Sequence, residues 1–318
     1  MSENFRMGVF KRAALCRNFE QYVFDGIRNK MFKFPIYLSA GQEYISATIA
    51  EVMHRKKIQP NIFIQHRGHS TYLSYDAPVE LLIDELLGRS TGCANGMGGS
   101  ASIHSKEKNI FGHDGLMGSQ APIAVGHCYS TNHPTIVHLG DASAEEDYVL
   151  GALGWASTKK LPMIFVVEDN NLSILTEKKV RRNWELPDVA KAFQMKGFDT
   201  SDDPLELASF LENPFTDGPV LLNVNTHRKF WHSGAGIDDE NIFDRYQTEM
   251  DALGEEAIQI DKQAKQKVEV KPAKEPPKAE AKPKVEIKPA KEAPKAEAEP
   301  KKKEETKKEN PKKKEEKK

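Results

Sequence analysis

Two apolar runs separated by a single helical pattern do most to limit what this chain can become. Residues 135–139 (Thr-Ile-Val-His-Leu) read as an apolar strand, 145–157 as a helix and 163–167 (Met-Ile-Phe-Val-Val) as a fully apolar strand. A strand without polar alternation is buried on both faces, and strand–helix–strand at this spacing is the right-handed crossover of a parallel sheet. A further strand over 220–224, with helices over 187–193 and 204–211, continues the pattern. Upstream, the spacing predicts helices over 4–29, 42–53 and 78–87 and a short strand over 62–64. Residues 92–118 are glycine-rich and irregular, and 240–253 is expected to be the last helix. The fold class expected is α/β, a central parallel sheet flanked by helices.

The 318 residues balance 46 basic against 47 acidic side chains, but unevenly. From Lys271 to Lys318 there are 18 Lys, 11 Glu, 8 Pro and 7 Ala and no aromatic residue, so this segment carries +7 and the remainder −8. Such a composition buries too little surface to offset its ordering entropy. Residues 1–260 are therefore expected to form the folded domain and 261–318 a disordered Lys/Glu/Pro/Ala-rich tail. The run at 267–275 recurs at 284–292, a period of 17 that lacks the apolar faces a solenoid needs. No run of apolar residues is long enough to span a membrane. Arg6, Lys11 and Arg12 interrupt the N-terminal apolar stretch, which argues against a secretory signal. That stretch is neither Ser-rich nor strongly cationic, so a transit peptide is not expected either. Cys16, Cys93 and Cys128 have no metal-ligand or disulfide spacing. A cytoplasmic location is expected. The tail's lysines are interleaved with glutamates and lack Arg and aromatics, which argues against nucleic acid.

The chemistry-bearing residues follow the two central strands. The first ends in Gly140-Asp141-Ala142-Ser143 and the second in Asn170-Asn171-Leu172-Ser173. Ligands of parallel sheets bind at the carboxyl ends of strands. If the strands are neighbours, Asp141, Asn171 and a backbone carbonyl form a hard-oxygen set suited to Mg²⁺. The helix start near 143–145 would offer N–H groups to a phosphate. Read singly, Gly-Asp and Asn-Asn are ordinary turn pairs, Arg67 is an ordinary solvated arginine and His232 a surface histidine.

The Gly140-Asp141…Asn170-Asn171 pair resembles the thiamine-diphosphate motif. Ser39-Ala40-Gly41-Gln42-Glu43, His66-Arg67-Gly68-His69, Gly98-Gly99-Ser100, the 115–122 run and His232-Ser233 occur in the order of one group. That group is the alpha subunits of the thiamine-dependent first component of 2-oxo acid dehydrogenase complexes, and the resemblance runs from about Phe5 to Leu253. It implies a thiamine-diphosphate-binding fold. It implies that Asp141, Asn171 and the Ser173 carbonyl bind Mg²⁺. It further implies that His66, Arg67, Gly140, Ala142 and Ser143 lie at the diphosphate, that Gly115 and Met117 meet the aminopyrimidine, and that His232 is catalytic in the loop over the site. Ser233 lies where some relatives are phosphorylated.

Three departures stand out. Ala142 replaces the third motif glycine and requires a negative φ. Tyr37 stands where several relatives place an active-site histidine. Leu172-Ser173-Ile174 replaces the usual continuation. The resemblance implies oxidative decarboxylation of a 2-oxo acid, pyruvate first, with acyl transfer to a lipoyl-bearing transacylase. It also implies a beta subunit in an α2β2 assembly, because the foldable residues suffice for only one of the two domains such enzymes need. Branched-chain 2-oxo acid or acetoin dehydrogenase alpha subunits, a split transketolase-like subunit and a non-catalytic binding paralogue are the alternatives.

Overall fold

A parallel sheet buried on both faces must alternate its side chains between two helical layers, and the chain does so. In the computed structural model, residues 3–32, 34–234 and 241–269 are described. The strands are β1 (Asn61–Phe63), β2 (Ile110–Phe111), β3 (Thr135–Gly140), β4 (Met163–Asp169), the hairpin pair β5 (Leu172–Ser173) and β6 (Thr176–Glu177), β7 (Lys196–Ser201) and β8 (Val220–Asn225). Six of them form one all-parallel sheet in the order β2-β1-β3-β4-β8-β7.

The helices are α1 (Glu3–Arg28), α2 (Glu43–Lys56), α3 (His69–Ser74), α4 (Val79–Leu86), α5 (Gln120–Thr131), α6 (Asp147–Thr158), α7 (Lys178–Arg181), α8 (Leu186–Ala192), α9 (Pro204–Ser209), α10 (Arg245–Leu253) and α11 (Glu255–Val268). Ile136, Ile164, Val166, Leu222 and Val224 point to one face, against Val9 and Phe10 of α1, Ile45 and Ile49 of α2 and Tyr246 of α10. Val137, Leu139, Phe165 and Val167 point to the other, against Ala121 of α5, Leu153 of α6 and Ala190 of α8. A third cluster packs Phe19, Leu38, Ile62, Ile64, Tyr72 and Leu82 beneath the β1 edge.

The expected α/β class and the β3–α6–β4 crossover stand. The elements outside the expected pattern include the short β2, α3, β5–β6 hairpin and α7 and the longer α5, β7 and α11. The last helix expected, 240–253, begins only at Arg245, where the Asp244 side chain accepts the Tyr246 N–H as a cap. The chain then continues into α11, which buries Ala257, Ala264 and Val268. The boundary expected at residue 260 therefore falls inside a helix. The remainder of the expected tail, from residue 270, lies outside the described residues. Among the described residues, no helix is long and apolar enough to cross a membrane.

Candidate active site

The carboxyl ends of β1, β3 and β4 carry two edges of opposite charge. The first follows β1. Arg67 is 2% exposed; its Nη1 donates to the Leu38 carbonyl at 2.8 Å and its Nη2 lies 2.6 Å from His232 Nδ1. The His66 ring meets Tyr37 edge-on at 5.0 Å between centroids, with His232 at 6.0 Å and His113 at 6.2 Å. Burial pushes the His66 imidazole well below its ordinary range, and the charges of Arg67, His113, His232 and Arg228 push it further. His66 is thus neutral at pH 7 in a positive field.

This arrangement is fixed from below. Glu20 Oε1 accepts from the Ser39 hydroxyl at 2.6 Å and lies 3.0 Å from His69 Nδ1. Ser100 Oγ lies 2.9 Å from His69 Nε2 and accepts the Tyr37 N–H at 3.0 Å. One buried carboxylate therefore ties together the 39–43, 66–69 and 98–100 motifs. Gly41 is required in the first of these, because its φ is +91° and a β-carbon there would stand 2.2 Å from the His227 carbonyl oxygen.

The second edge is acidic. Gly140 pairs with Glu168, so Asp141 and Asp169 follow at equal height on adjacent strands. They are 2% and 3% exposed. Burial and then the Asp169 charge raise the Asp141 carboxyl to about 6, against the pull of Arg181 and Arg182. Burial also opposes ionisation of Asp169, but hydrogen bonds from Lys178 and Asn223 outweigh it and lower its pKa. Each acid meets a cation from 178–182. Arg181 Nη2 donates to Asp141 Oδ2, and Nη1 donates to Glu145 Oε1 at 2.6 Å. Arg182 Nη1 donates to Glu145 Oε1 at 3.0 Å and to the Asp141 carbonyl at 3.1 Å. Lys178 Nζ donates to Asp169 Oδ2 at 2.7 Å.

A polar relay lies between the edges. Glu168 accepts from Gln42 Nε2 at 2.8 Å and lies 3.0 Å from His138 Nδ1, while Asn170 Nδ2 donates to Gln42 Oε1 at 2.8 Å. Gln65 Nε2, Gln120 Oε1 and His138 Nε2 are buried with no hydrogen-bond partner. Gln65 faces Gly140, where a β-carbon would stand 3.4 Å from Gln65 Oε1. Buried polar atoms without partners, beside a basic cluster at strand ends, fit an anionic ligand with polar edges.

The sequence-derived residues divide between these settings. His66, Arg67 and His232 come together as expected. Ala142 has φ −73°, so its methyl is unstrained. Ser143 Oγ donates to the Gly140 carbonyl and accepts the Gly140 N–H, both at 2.9 Å, closing its own turn. Gly115 has φ +99° in open space, and its N–H donates to His113 Nδ1 at 3.0 Å. The Met117 carbonyl accepts the Tyr148 hydroxyl.

The metal set is differently engaged. Asp141 holds Arg181. Asn171, exposed with φ 65°, accepts the Lys178 N–H on its side-chain oxygen at 3.3 Å, and Ser173 lies in the β5–β6 hairpin. A 3-10 turn spans Ser143–Glu145, where the helix start was expected, and α6 begins at Asp147; the Glu145 carboxylate in that turn holds Arg181 and Arg182. These residues do not present an open oxygen set to a divalent cation. Among the described residues no group of three His, Cys, Asp or Glu side chains is placed to hold a metal. Sequence reasoning missed His113, Glu145, Lys178, Arg181, Arg182 and Arg228. The signal available for three of them was basic residues at 178, 181 and 182, a helical i, i+3, i+4 set directly after the Asn-Asn loop.

A parallel sheet flanked by helices, with charged side chains at its strand ends, is an α/β fold that solved structures share. The transketolase from Leishmania mexicana superposes with a TM-score of 0.53 at 15% identity, over 71% of this chain and 37% of that one. Residues 11–305 match the family described as dehydrogenase E1 component, and the chain belongs to that family. The pyruvate dehydrogenase E1 component subunit alpha-1, mitochondrial, of Oryza sativa subsp. japonica is 25% identical over 233 residues, 70% of this chain and 59% of the relative. The pyruvate dehydrogenase E1 component subunit alpha of Rickettsia prowazekii is 29% identical over 214 residues, 62% of this chain and 63% of the relative. The chain thus spans about three-fifths of the length of these relatives.

Proposed function

We propose that this chain is the alpha-type, diphosphate-holding half of a thiamine-diphosphate-dependent 2-oxo acid dehydrogenase. The observation that carries this reading is the seat formed by Arg67, His66 and His232 at the end of β1, in a chain of the dehydrogenase E1 component family. Thiamine diphosphate supplies the carbanion chemistry that removes carbon dioxide from a 2-oxo acid. The chain's own residues bind and orient it. Arg67, held in place by the Leu38 carbonyl, offers a planar guanidinium to the diphosphate. His66 is neutral and meets its ligand as a hydrogen-bond partner rather than as a charge. His232, against both Arg67 and Tyr37, lies at the mouth of the site as the candidate catalytic residue. Gly115 and Met117 border it on the β2–α5 loop. Magnesium is left out of this reading because Asp141 and Asn171 are already engaged.

The reaction requires a second chain. Met97 is 85% exposed and Leu116 60% exposed, with Ile123 and Met117 exposed on the same 97–123 stretch. Large apolar residues concentrated beside a site suit a protein interface. The partner in this reading is a beta-type subunit in an α2β2 assembly, with pyruvate as the 2-oxo acid, a lipoyl-bearing transacylase as acceptor and the cytoplasm as location. The test is to purify the chain with its co-expressed beta-type partner and assay carbon dioxide release from pyruvate, branched 2-oxo acids and acetoin. Turnover is expected only with both chains. Turnover by the chain alone removes the partner requirement, and none on any substrate removes the reaction.

A further inference from the structure

We propose that Arg181 stands in for a divalent cation in this chain: its guanidinium neutralises the strand-end carboxylates that would otherwise ligate one, so ligand binding is independent of metal. The first support is charge balance. Asp141, Glu145 and Asp169 are matched one for one by Lys178, Arg181 and Arg182, all from 178–182. A divalent cation added to this set would face guanidinium groups at hydrogen-bond range.

The second support is anchoring. The Arg182 side chain is 1% exposed, and its guanidinium lies over the Trp184 ring at 5.0 Å. Arg181 is adjacent and bridges two carboxylates from separate elements, Asp141 after β3 and Glu145 before α6. Swinging it away would leave the buried Asp141 carboxylate without its cation and Glu145 with Arg182 alone.

The inference deepens the function proposed above, but rests on it only for the choice of thiamine diphosphate as one probe. The test has two arms on the full chain. In the first, Mn²⁺ binding is followed by the loss of the free-ion paramagnetic resonance signal. Wild type is expected to show no binding below about 1 mM, and Arg181→Ala, with three acids facing two cations, to bind at least about tenfold more tightly. In the second, thiamine diphosphate is titrated calorimetrically in Mg²⁺ and in EDTA. Wild-type affinity is expected to agree between the two within about twofold, and that of Arg181→Ala to fall about tenfold or more in EDTA.

Micromolar Mn²⁺ binding by wild type, or a wild-type requirement for Mg²⁺, overturns the proposal. If Arg181→Ala is unfolded by circular dichroism, Arg181→Gln makes the same comparison, and the wild-type measurements decide without either. If wild type binds no thiamine diphosphate in either buffer, the function reading fails, while the Mn²⁺ arm still decides the role of Arg181.

Discussion

The two edges of the crevice are built from opposite materials. At the end of β1, two residues in sequence, His66 and Arg67, are joined by His113, Arg228 and His232 from distant loops, whose charges add to burial in depressing the His66 pKa. At the ends of β3 and β4, buried acids dominate, and burial, then the Asp169 charge, raises Asp141 to about 6 even with Arg181 upon it. The basic edge is assembled across the whole chain. The acidic edge is neutralised locally, by three cations at 178, 181 and 182, directly after the β5–β6 hairpin. A ligand anion is therefore drawn to the first edge by charge, while the second is neutralised by its own ion pairs.

The largest effect should come from removing the basic edge. Arg67→Ala deletes a buried charge-assisted donor, and thiamine diphosphate affinity is expected to fall about 100-fold by calorimetry. Arg67→Lys should recover little of it, because an ammonium cannot serve Leu38 and a phosphate with one rigid fork. An unchanged affinity would remove the contrast between the edges. Next is Glu145→Gln, which takes a charged acceptor from both Arg181 and Arg182. Stability is expected to fall by about 1–3 kcal/mol in urea unfolding, with anion affinity kept or raised. A loss of affinity would mean that the acidic edge is needed for binding in its own right.

A smaller effect is a pH dependence. Folding holds the His66 imidazole neutral, so as pH falls below the unfolded value of about 6.5 the unfolded chain binds a proton that the folded chain does not. That contribution to stability is present above this pH and lost below it. The unfolding free energy of wild type relative to His66→Asn should therefore decrease from pH 8 to pH 5. A constant difference would show that His66 is not held neutral. The smallest effect is that of salt. Raising ionic strength from about 0.1 M to about 1 M shortens the Debye length from about 10 Å to about 3 Å, which should weaken anion binding severalfold while the buried pairs of 178–182 keep the melting temperature nearly constant.

What could be read from the sequence follows the same division. Strands β3, β4 and β8 announce themselves because both faces are buried and apolar. The edge strand β7 reads Lys-Gly-Phe-Asp-Thr-Ser and is only partly buried, so it carries no apolar signature. Helix α5 is made of small and β-branched residues with little amphipathic contrast, and α11 buries only three small or medium side chains among many charges. In the site, Asp141 is legible because it directly follows a strand, and Arg67 because it stands in the His66-Arg67-Gly68-His69 run of the family resemblance. Arg181 is not, since its meaning appears only when α7 folds back over the ends of β3 and β4. His113 was hidden in a glycine-rich stretch whose path no periodicity describes.

The clasp between α1 and α11 has a consequence for how the molecule is made. Asn18 of α1 donates to Asp261 of α11 at 2.7 Å across 243 residues of sequence, and Phe5, Val9 and Phe10 share their core with Ala257 and Ala264. At about 5–20 residues per second, ribosomal synthesis separates these partners by roughly 12 to 50 s. The flank of α1 that meets α11 thus stays uncovered longer than the flank that meets α2, and it is the surface that a nascent-chain chaperone would meet.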